Sequence, residues 1–178
     1  MPSPDPTDDP TDESTADPPD DRPATDDRPP AEVVTAMVDH VLDLAATWVS
    51  WDGAPIAAGD RAYTPHKAIR RVADHLVDHL AELEARVAGQ PTIPDRWHAS
   101  AITTPADEAP FTQDDLDEAR SRLTRLAQIW DVRLRALTAE QLDHRDPTEP
   151  DRWTLREVAF HLAESTYYAD AVGRLPEP

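Results

Sequence analysis

Three histidines stand in patterns that can bind a metal ion. His75 and His79 lie four residues apart in RRVADHLVDHLAELEARVAG, and His161 lies in WTLREVAFHLAES. On a helix, residues at i and i+4 share one face about 6 Å apart, so two imidazoles can reach one ion. A third imidazole from a facing helix completes a three-histidine set with an open fourth position, as in catalytic zinc sites. Such an ion lowers the pKa of bound water or activates a thiol.

The same spacing has a second interpretation. An HxxxH pair on an amphipathic helix is also typical of histidines at the edge of a core, bonded to neighbours such as Asp74 or Asp78 or to solvent. A single histidine such as His161 can have the same structural role. Two hypotheses therefore stay open at this point. The first is a metal-dependent enzyme, and the alternative is a metal-free, non-catalytic helical bundle that acts as an interaction or scaffold protein.

Four segments with helical periodicity must position these histidines, at about residues 32–49, 64–88, 112–137 and 154–169. No segment shows convincing strand alternation. The predicted fold class is therefore all-α, a four-helix bundle of the up-down type. RRVADHLVD and REVAFHLAE also align with each other, which places His75 and His161 at the same position relative to the apolar stripes of their helices.

Capping residues define the predicted helix ends. The predicted N-caps are Thr64, Thr112 and Thr154, the last two with Asp115 and Glu157 as capping-box partners. Gly89 is a typical C-terminal stop. Residues 90–111 form a long irregular connection with four prolines. Long structured loops of this kind are often functional lids, but more commonly they pack over the edge of a core.

Composition separates a tail from a domain. Residues 1–30 hold nine Pro and ten Asp or Glu against two Arg, with no Val, Ile, Leu or aromatic residue, so this acidic tail is expected to be disordered. Residues 31–178 suit one domain. The net charge of −19 argues against nucleic acid and anionic membranes as partners. Without a secretory signal or an apparent membrane-spanning run, a cytoplasmic location is expected.

The sequence lacks the motifs of several other kinds of functional site. The chain has no cysteine, which excludes disulfides, thiolate metal sites and cysteine nucleophiles. It has no Gly-x-Ser-x-Gly motif, and its four glycines form no phosphate-binding loop. No two helices carry the Glu-x-x-His arrangement of a ferritin-like di-iron site.

Residues 112–172 resemble the first two helices of the DinB/YfiT-like superfamily of metalloenzymes. The match lies in LTAEQLDHR and in RWTLREVAFHLAES, because a family helix of the form W-[ST]-x-R-x-V-x-x-H-L carries the first metal-binding histidine, here His161. A later family helix carries an HxxxH pair, which His75 and His79 match. Here the pair comes first, so the motif order is permuted. A circular permutation of the bundle explains this order, and mimicry of the motif by the second helix is the alternative.

The resemblance implies a four-helix bundle that binds a divalent metal, Zn or Ni, through three histidines. It also implies thiol S-transferase or isomerase chemistry, with a low-molecular-weight thiol such as bacillithiol or mycothiol as co-substrate. The predicted metal ligands are His75, His79 and His161. The predicted orienting carboxylates and pocket residues are Asp74, Asp78, Glu164, Trp97 and Tyr168. A small-molecule substrate is the expected partner, and a homodimer is left open.

Overall fold

The computed structural model describes residues 22–59, 61–94 and 102–176, and these are mainly helical. The helices are α1 Pro30–Ala45, α2 Pro65–Val87, α3 Gln113–Ala136, α4 Ala139–Leu142, α5 Leu155–Ala163 and α6 Thr166–Asp170. A 3-10 turn, Trp48–Ser50, follows α1, and two short strands, β1 Ile56–Ala58 and β2 Arg61–Tyr63, precede α2. The prediction of a mainly helical fold is confirmed.

Helices α2, α3 and α5 begin where side-chain chemistry predicts, and α2 also ends there. Thr64 caps α2, because its Oγ1 accepts a hydrogen bond from the backbone N–H of Lys67 at 3.2 Å. Helices α3 and α5 both begin with the predicted capping boxes, in which a threonine and the acid three residues later bond to each other's backbone. Gly89 follows α2 with φ +63°, a left-handed conformation that stops a helix. Both ends of the helix that carries His75 and His79 are thus fixed.

Helices α1 and α2 each pack against α3 and against the α5–α6 segment. Nine residues of α1 are buried, all of them apolar. Trp48 and Trp130 are completely buried, and their indole N–H groups donate to Gly173 O at 2.7 Å and to Leu76 O at 3.1 Å. This apolar core sets the position of α2 relative to α5, the two helices that carry the histidines.

A small antiparallel hairpin corrects the prediction of a chain without strands. Ile56 pairs with Tyr63 and Ala58 with Arg61, so two residues connect the strands. Gly59 begins this connection with φ +63°, which two-residue hairpin loops require and which glycine adopts readily. Strands of three residues are too short to show alternation. The Gly-Asp pair at 59–60 was the available signal.

The last helix also differs from the prediction. The pattern predicts one helix up to about residue 169, but α5 ends at Ala163 and α6 begins at Thr166. The N–H groups of Glu164 and Ser165 donate to carbonyls three residues back, those of His161 and Leu162, at 3.0 Å each. Such tighter turns interrupt the regular i to i−4 pattern. Helix α6 then packs against both α1 and α2.

The N-terminal tail is described only in part, since residues 1–21 of the predicted disordered segment lie outside the described residues. Pro23 is buried, and Arg22 Nη2 donates to Pro150 O at 3.1 Å. Helix α1 begins at Pro30, next to the predicted domain boundary at residue 31.

One stretch within the described residues, Pro30–Ser50, is long and apolar enough to cross a membrane, with a mean hydropathy of 1.3. This finding corrects the expectation that the chain contains no such run. Length and composition alone are weak evidence, because a core helix passes the same test. In the structure this stretch contains α1, which packs against α3, α5 and α6 and so supplies much of the core.

Candidate metal centre

Helices α2 and α5 bring the three predicted histidines together. The ring centroids of His75 and His79, one turn apart on α2, are 5.0 Å from each other. The ring of His161 on α5 lies 5.1 Å from the first and 5.4 Å from the second. One ring nitrogen of each residue lies within 4.8 Å of the others. The three side chains therefore form one group of nitrogen donors that could hold a metal ion.

Buried leucines explain why the histidines face each other. Leu76 follows His75, Leu162 follows His161, and both leucines are completely buried. Neighbouring residues on a helix point about 100° apart, so each histidine lies on the flank of the apolar face. Because α2 packs against α5, these two flanks meet. The arrangement follows from where the core places the leucines.

Carboxylates bind the outer nitrogens of two rings. His79 Nδ1 lies 3.0 Å from Glu82 Oε2, and His161 Nδ1 lies 3.1 Å from Glu164 Oε2. A neutral imidazole that donates its Nδ1–H to a carboxylate keeps the Nε2 lone pair as a metal donor. His75 Nε2 and His161 Nε2 lie 3.0 Å apart. The Nε2 atoms of His75 and His161 thus face each other, and carboxylates hold the Nδ1 atoms of His79 and His161.

Burial keeps His75 uncharged. Its pKa falls to about 3, mainly because burial removes water from the charged form. Positive charge at His79, His161 and Arg71 lowers this pKa further. Metal ions bind only the neutral form of imidazole, since the proton occupies the donor lone pair in the charged form. The surroundings of His75 therefore favour the protonation state that a metal ligand needs.

The donor set fits a divalent ion that prefers nitrogen ligands. Zn²⁺ binds imidazole nitrogen at about 2.0–2.1 Å, so two ligands of one tetrahedral ion lie about 3.3 Å apart. The 3.0 Å between the Nε2 atoms of His75 and His161 is close to that spacing, and the donor nitrogens of all three histidines lie within 4.8 Å of one another. Imidazole suits Zn and Ni, and three protein ligands leave a position for another ligand.

Two of the predicted neighbours lie at the site. Glu164 contacts His161 through the ring Nδ1. The ring of Tyr168 lies 6.1 Å from the ring of His75 in an edge-on arrangement, so this tyrosine borders the group of histidines. Trp97, the other predicted pocket aromatic, lies outside the described residues.

The two predicted aspartates lie on α2 next to the histidines in the sequence. Asp74 Oδ2 lies 4.0 Å from Arg70 Nη1 and 3.9 Å from Arg71 Nη1. Its ion-pair partners are therefore arginines, and burial raises its pKa although both arginines lower it. Asp78 lies in the wall of a cavity next to His79.

Glu82 was missing from the sequence prediction. The chain contains HLAE at 79–82 and again at 161–164, and a related HLVD at 75–78. An acid three residues after a histidine lies next to it on a helix, which is the contact between Glu82 and His79. The threefold His-Leu-x-acid repeat is the signal that could have identified this carboxylate.

Two arginines share the carboxylate of Glu82. Arg86 Nη1 donates to its Oε1 at 3.2 Å, and Arg152 Nη2 lies 3.6 Å from the same oxygen. Burial alone raises the pKa of Glu82, but the hydrogen bond from His79 and the charge of Arg86 bring it below its usual value. Glu82 is therefore an ionised, anchored partner for the imidazole.

Two aromatic side chains border the imidazoles. Trp153, which directly precedes the N-cap of α5, lies 4.6 Å from His161 between ring centroids. Tyr168 Oη accepts a hydrogen bond from Arg71 Nη2 at 3.2 Å, which fixes the tyrosine ring beside His75. Both aromatics restrict the directions from which a ligand can approach the nitrogens.

Two cavities open on either side of the histidines. The larger, of about 630 Å³, has His79 and Glu82 in its wall together with Arg152 from the loop before α5. The smaller, of about 260 Å³, is lined by His75, His161, Glu164, Ser165, Tyr167 and Tyr168. His79 thus lies in the wall of the larger cavity, and His75 and His161 lie in the wall of the smaller one.

Comparisons with protein-family models, with curated proteins and with solved structures found no match.

Proposed function

We propose that the protein is a metal-dependent enzyme in which His75, His79 and His161 bind one divalent ion, Zn or Ni. The observation that carries this proposal is the meeting of three imidazole nitrogens within 4.8 Å. An apolar core would fill this space with aliphatic side chains, because burying imidazole costs free energy unless it gains a partner. Carboxylates already pair with the Nδ1 atoms of His79 and His161, and a shared metal ion would give one nitrogen of each of the three rings a further partner.

The surrounding residues support this chemistry. Glu82 and Glu164 hold the Nδ1 atoms of two ligands, which fixes ring orientation and increases the basicity of the inner nitrogens. When bound, the ion supplies a Lewis acid that lowers the pKa of a water or thiol. Trp153 and Tyr168 limit access of bulk water, and the larger cavity admits a small-molecule substrate. Following the family resemblance, we propose thiol S-transferase or isomerase chemistry with a low-molecular-weight thiol.

The proposed architecture is a four-helix bundle of α1, α2, α3 and the α5–α6 segment, with DinB-like motifs in permuted order. The packing of α1 and α2 against the same two neighbours supports this arrangement. In such a bundle, ligands on facing helices project into the space between them. His75 and His79 on α2 and His161 on α5 have this relation.

Metal analysis tests the proposed function. The protein, purified without an affinity tag that binds metal, should contain about one equivalent of Zn or Ni by mass spectrometry, or take up one equivalent when dialysed against it. His161→Ala should lose this metal almost completely, because two nitrogens remain. The matched control is His144→Ala, since His144 is exposed and lies outside the group of three.

The outcome separates the metal-dependent enzyme from the metal-free bundle. A folded preparation that contains no metal and takes up neither Zn nor Ni would contradict the enzyme proposal and favour the metal-free bundle. Equal metal content in His161→Ala and His144→Ala would show that the metal binds elsewhere.

A further inference from the structure

An apolar groove lies along α2, and the metal proposal does not use it. Its volume is about 510 Å³, and six of its eight lining residues are apolar. The apolar groove is lined by Val77, Ala81, Ala85, Pro91, Ile93 and Pro94, together with Asp78 and Glu82. The three apolar residues from α2 stand four positions apart, so they form one row about 12 Å long on the helix surface. The groove is therefore long enough for an extended apolar chain.

The apolar groove adjoins the larger cavity, which has His79 in its wall. Asp78, Glu82 and Ile93 line both spaces, so the groove and the cavity share a border. At about 100° per residue, Asp78 and Glu82 lie between His79 and the apolar row on the surface of α2. A ligand bound beside His79 can therefore extend into the groove by crossing this border.

Two large apolar side chains in the groove are exposed to water. Val77 is 45% exposed and Ile93 is 88% exposed. A ligand that removes apolar surface from water gains about fourfold in affinity for each methylene group that becomes buried. Because Ile93 lines both spaces, a ligand that crosses the border would cover it.

Size and charge favour a small molecule over a second copy of the chain as the occupant. Ligand pockets typically have volumes of about 300–1,000 Å³ and mainly apolar walls with a few polar groups, and the apolar groove has both properties. A second copy would bring another chain of net charge −19 against a surface that contains the carboxylates of Asp78 and Glu82. Repulsion between like charges opposes this association.

We infer that the substrate of the proposed metal site is amphipathic, with its reacting polar group beside His79 and an apolar segment in the apolar groove, against Val77 and Ile93. The inference rests on the proposed function, because it places the reacting group at the metal ion. It goes further by naming the substrate class and the residues that select it. When the reacting group is a thiol, a longer alkyl chain on the sulfur should increase the affinity.

Alkyl thiols of different length test this inference. Co²⁺ replaces Zn, because its thiolate complexes absorb light and report binding, and ethanethiol is compared with hexanethiol. Hexanethiol should bind at least about tenfold more tightly, since complete burial of four further methylene groups would give roughly 200-fold and the groove is open to water. The double variant Val77→Thr with Ile93→Thr should reduce this gain below about threefold and leave the affinity for ethanethiol within about twofold. The matched control is Ile129→Thr with Val132→Thr, because these side chains are also exposed but lie on α3, outside both spaces.

A measurement without metal separates the failure of this inference from the failure of the proposed function. Hexan-1-ol is titrated into the metal-free protein, and the methyl signals of Val77, Ile93 and Val132 are followed by NMR. Saturable shifts are expected at Val77 and Ile93 but not at Val132, and ethanol should give much weaker shifts. This result in a protein that takes up neither Zn nor Co would support the apolar groove as a binding site and contradict the metal proposal alone.

Three other results would overturn the inference. The first is equal affinity for ethanethiol and hexanethiol, or the same gain in both double variants, even when one Co²⁺ is bound. The second is a dimer in sedimentation velocity that dissociates in Val77→Thr with Ile93→Thr, because the groove would then be an interface between two copies. The third is a set of hexanol shifts that appears only in Trp97→Ala, because the chain itself would then fill the groove.

Discussion

The tetrapeptide His-Leu-Ala-Glu occurs in α2 and in α5, and its two copies lie in different surroundings. The imidazole and carboxylate are almost equally close in both, 3.0 Å apart at His79 and Glu82 and 3.1 Å apart at His161 and Glu164. The side chain of Glu82 is 23% exposed, whereas that of Glu164 is 61% exposed. The same local sequence thus gives the same contact in two electrostatic settings.

The helix determines that each carboxylate contacts its imidazole, whereas the fold determines how exposed that contact is to water. The i to i+3 spacing places each carboxylate beside its imidazole in both copies. The strength of the contact depends on water, because exposed ion pairs contribute about 0–1 kcal/mol and buried ones interact more strongly. Glu82 also contacts Arg86, which holds it in place. We therefore expect the two carboxylates to contribute unequally to metal binding.

Of the two carboxylate variants, Glu82→Gln is expected to have the larger effect. The variant removes the anionic partner of a metal ligand, and changes of this kind typically reduce metal affinity about 10- to 100-fold. Competition with a chromophoric chelator measures the affinity for Zn. Glu108→Gln is the control, because Glu108 is exposed and lies in the connection between α2 and α3, away from the histidines. A loss for Glu82→Gln no greater than that for Glu164→Gln would contradict the proposed inequality.

Local features of the site could be predicted from the sequence. The three histidines are marked by their positions on amphipathic helices, and the structure brings them together. The caps of α2, α3 and α5 depend only on residues within four positions of each other. The contact of Glu82 is also a local feature, since Glu82 lies one helical turn after His79. The repeated tetrapeptide is therefore sufficient to predict its contact with the imidazole.

Other features depend on residues far apart in the chain. Arg152 reaches Glu82 across about 70 positions, and Arg71 reaches Tyr168 only because the chain turns between α5 and α6. No glycine or proline lies at that turn. The apolar periodicity of the sequence therefore predicts one continuous helix there. Asp74 has a position on α2 close to His75, but nearby arginines form its ion pairs. Such contacts follow from tertiary packing, which local patterns do not encode.

The related sequence HLVD at 75–78 extends the comparison to a more buried histidine. The pKa of His75 is about 3 in the folded protein against 6.5 for an ordinary histidine, so the unfolded chain binds this proton first as the pH falls. His75 alone should therefore lower the free energy of unfolding of the metal-free protein by up to about 1.4 kcal/mol for each unit that the pH falls between 6.5 and 3. Urea unfolding at several pH values measures this slope.

The variant His75→Gln isolates the contribution of this ring. Its unfolding free energy should depend less steeply on pH over the same interval, because the group that titrates only in the unfolded chain is gone. His144→Gln should keep the slope of the unmodified protein, since His144 is exposed. Parallel curves for His75→Gln and the unmodified protein would show that burial of His75 does not control its protonation.

The smallest expected effect is that of Glu164→Gln. Water surrounds more than half of the Glu164 side chain, and exposed pairs contribute up to about 1 kcal/mol, which corresponds to a loss in Zn affinity below about fivefold. Salt distinguishes the two carboxylates, because it weakens interactions between exposed charges more than those between buried ones. The screening length falls from about 10 Å at 0.1 M to about 3 Å at 1 M. In 1 M salt the difference between Glu164→Gln and the unmodified protein should nearly vanish, while the loss in Glu82→Gln persists. If salt removed both losses equally, burial would not distinguish the two copies, and the anchoring of Glu82 by Arg86 would have no measurable effect.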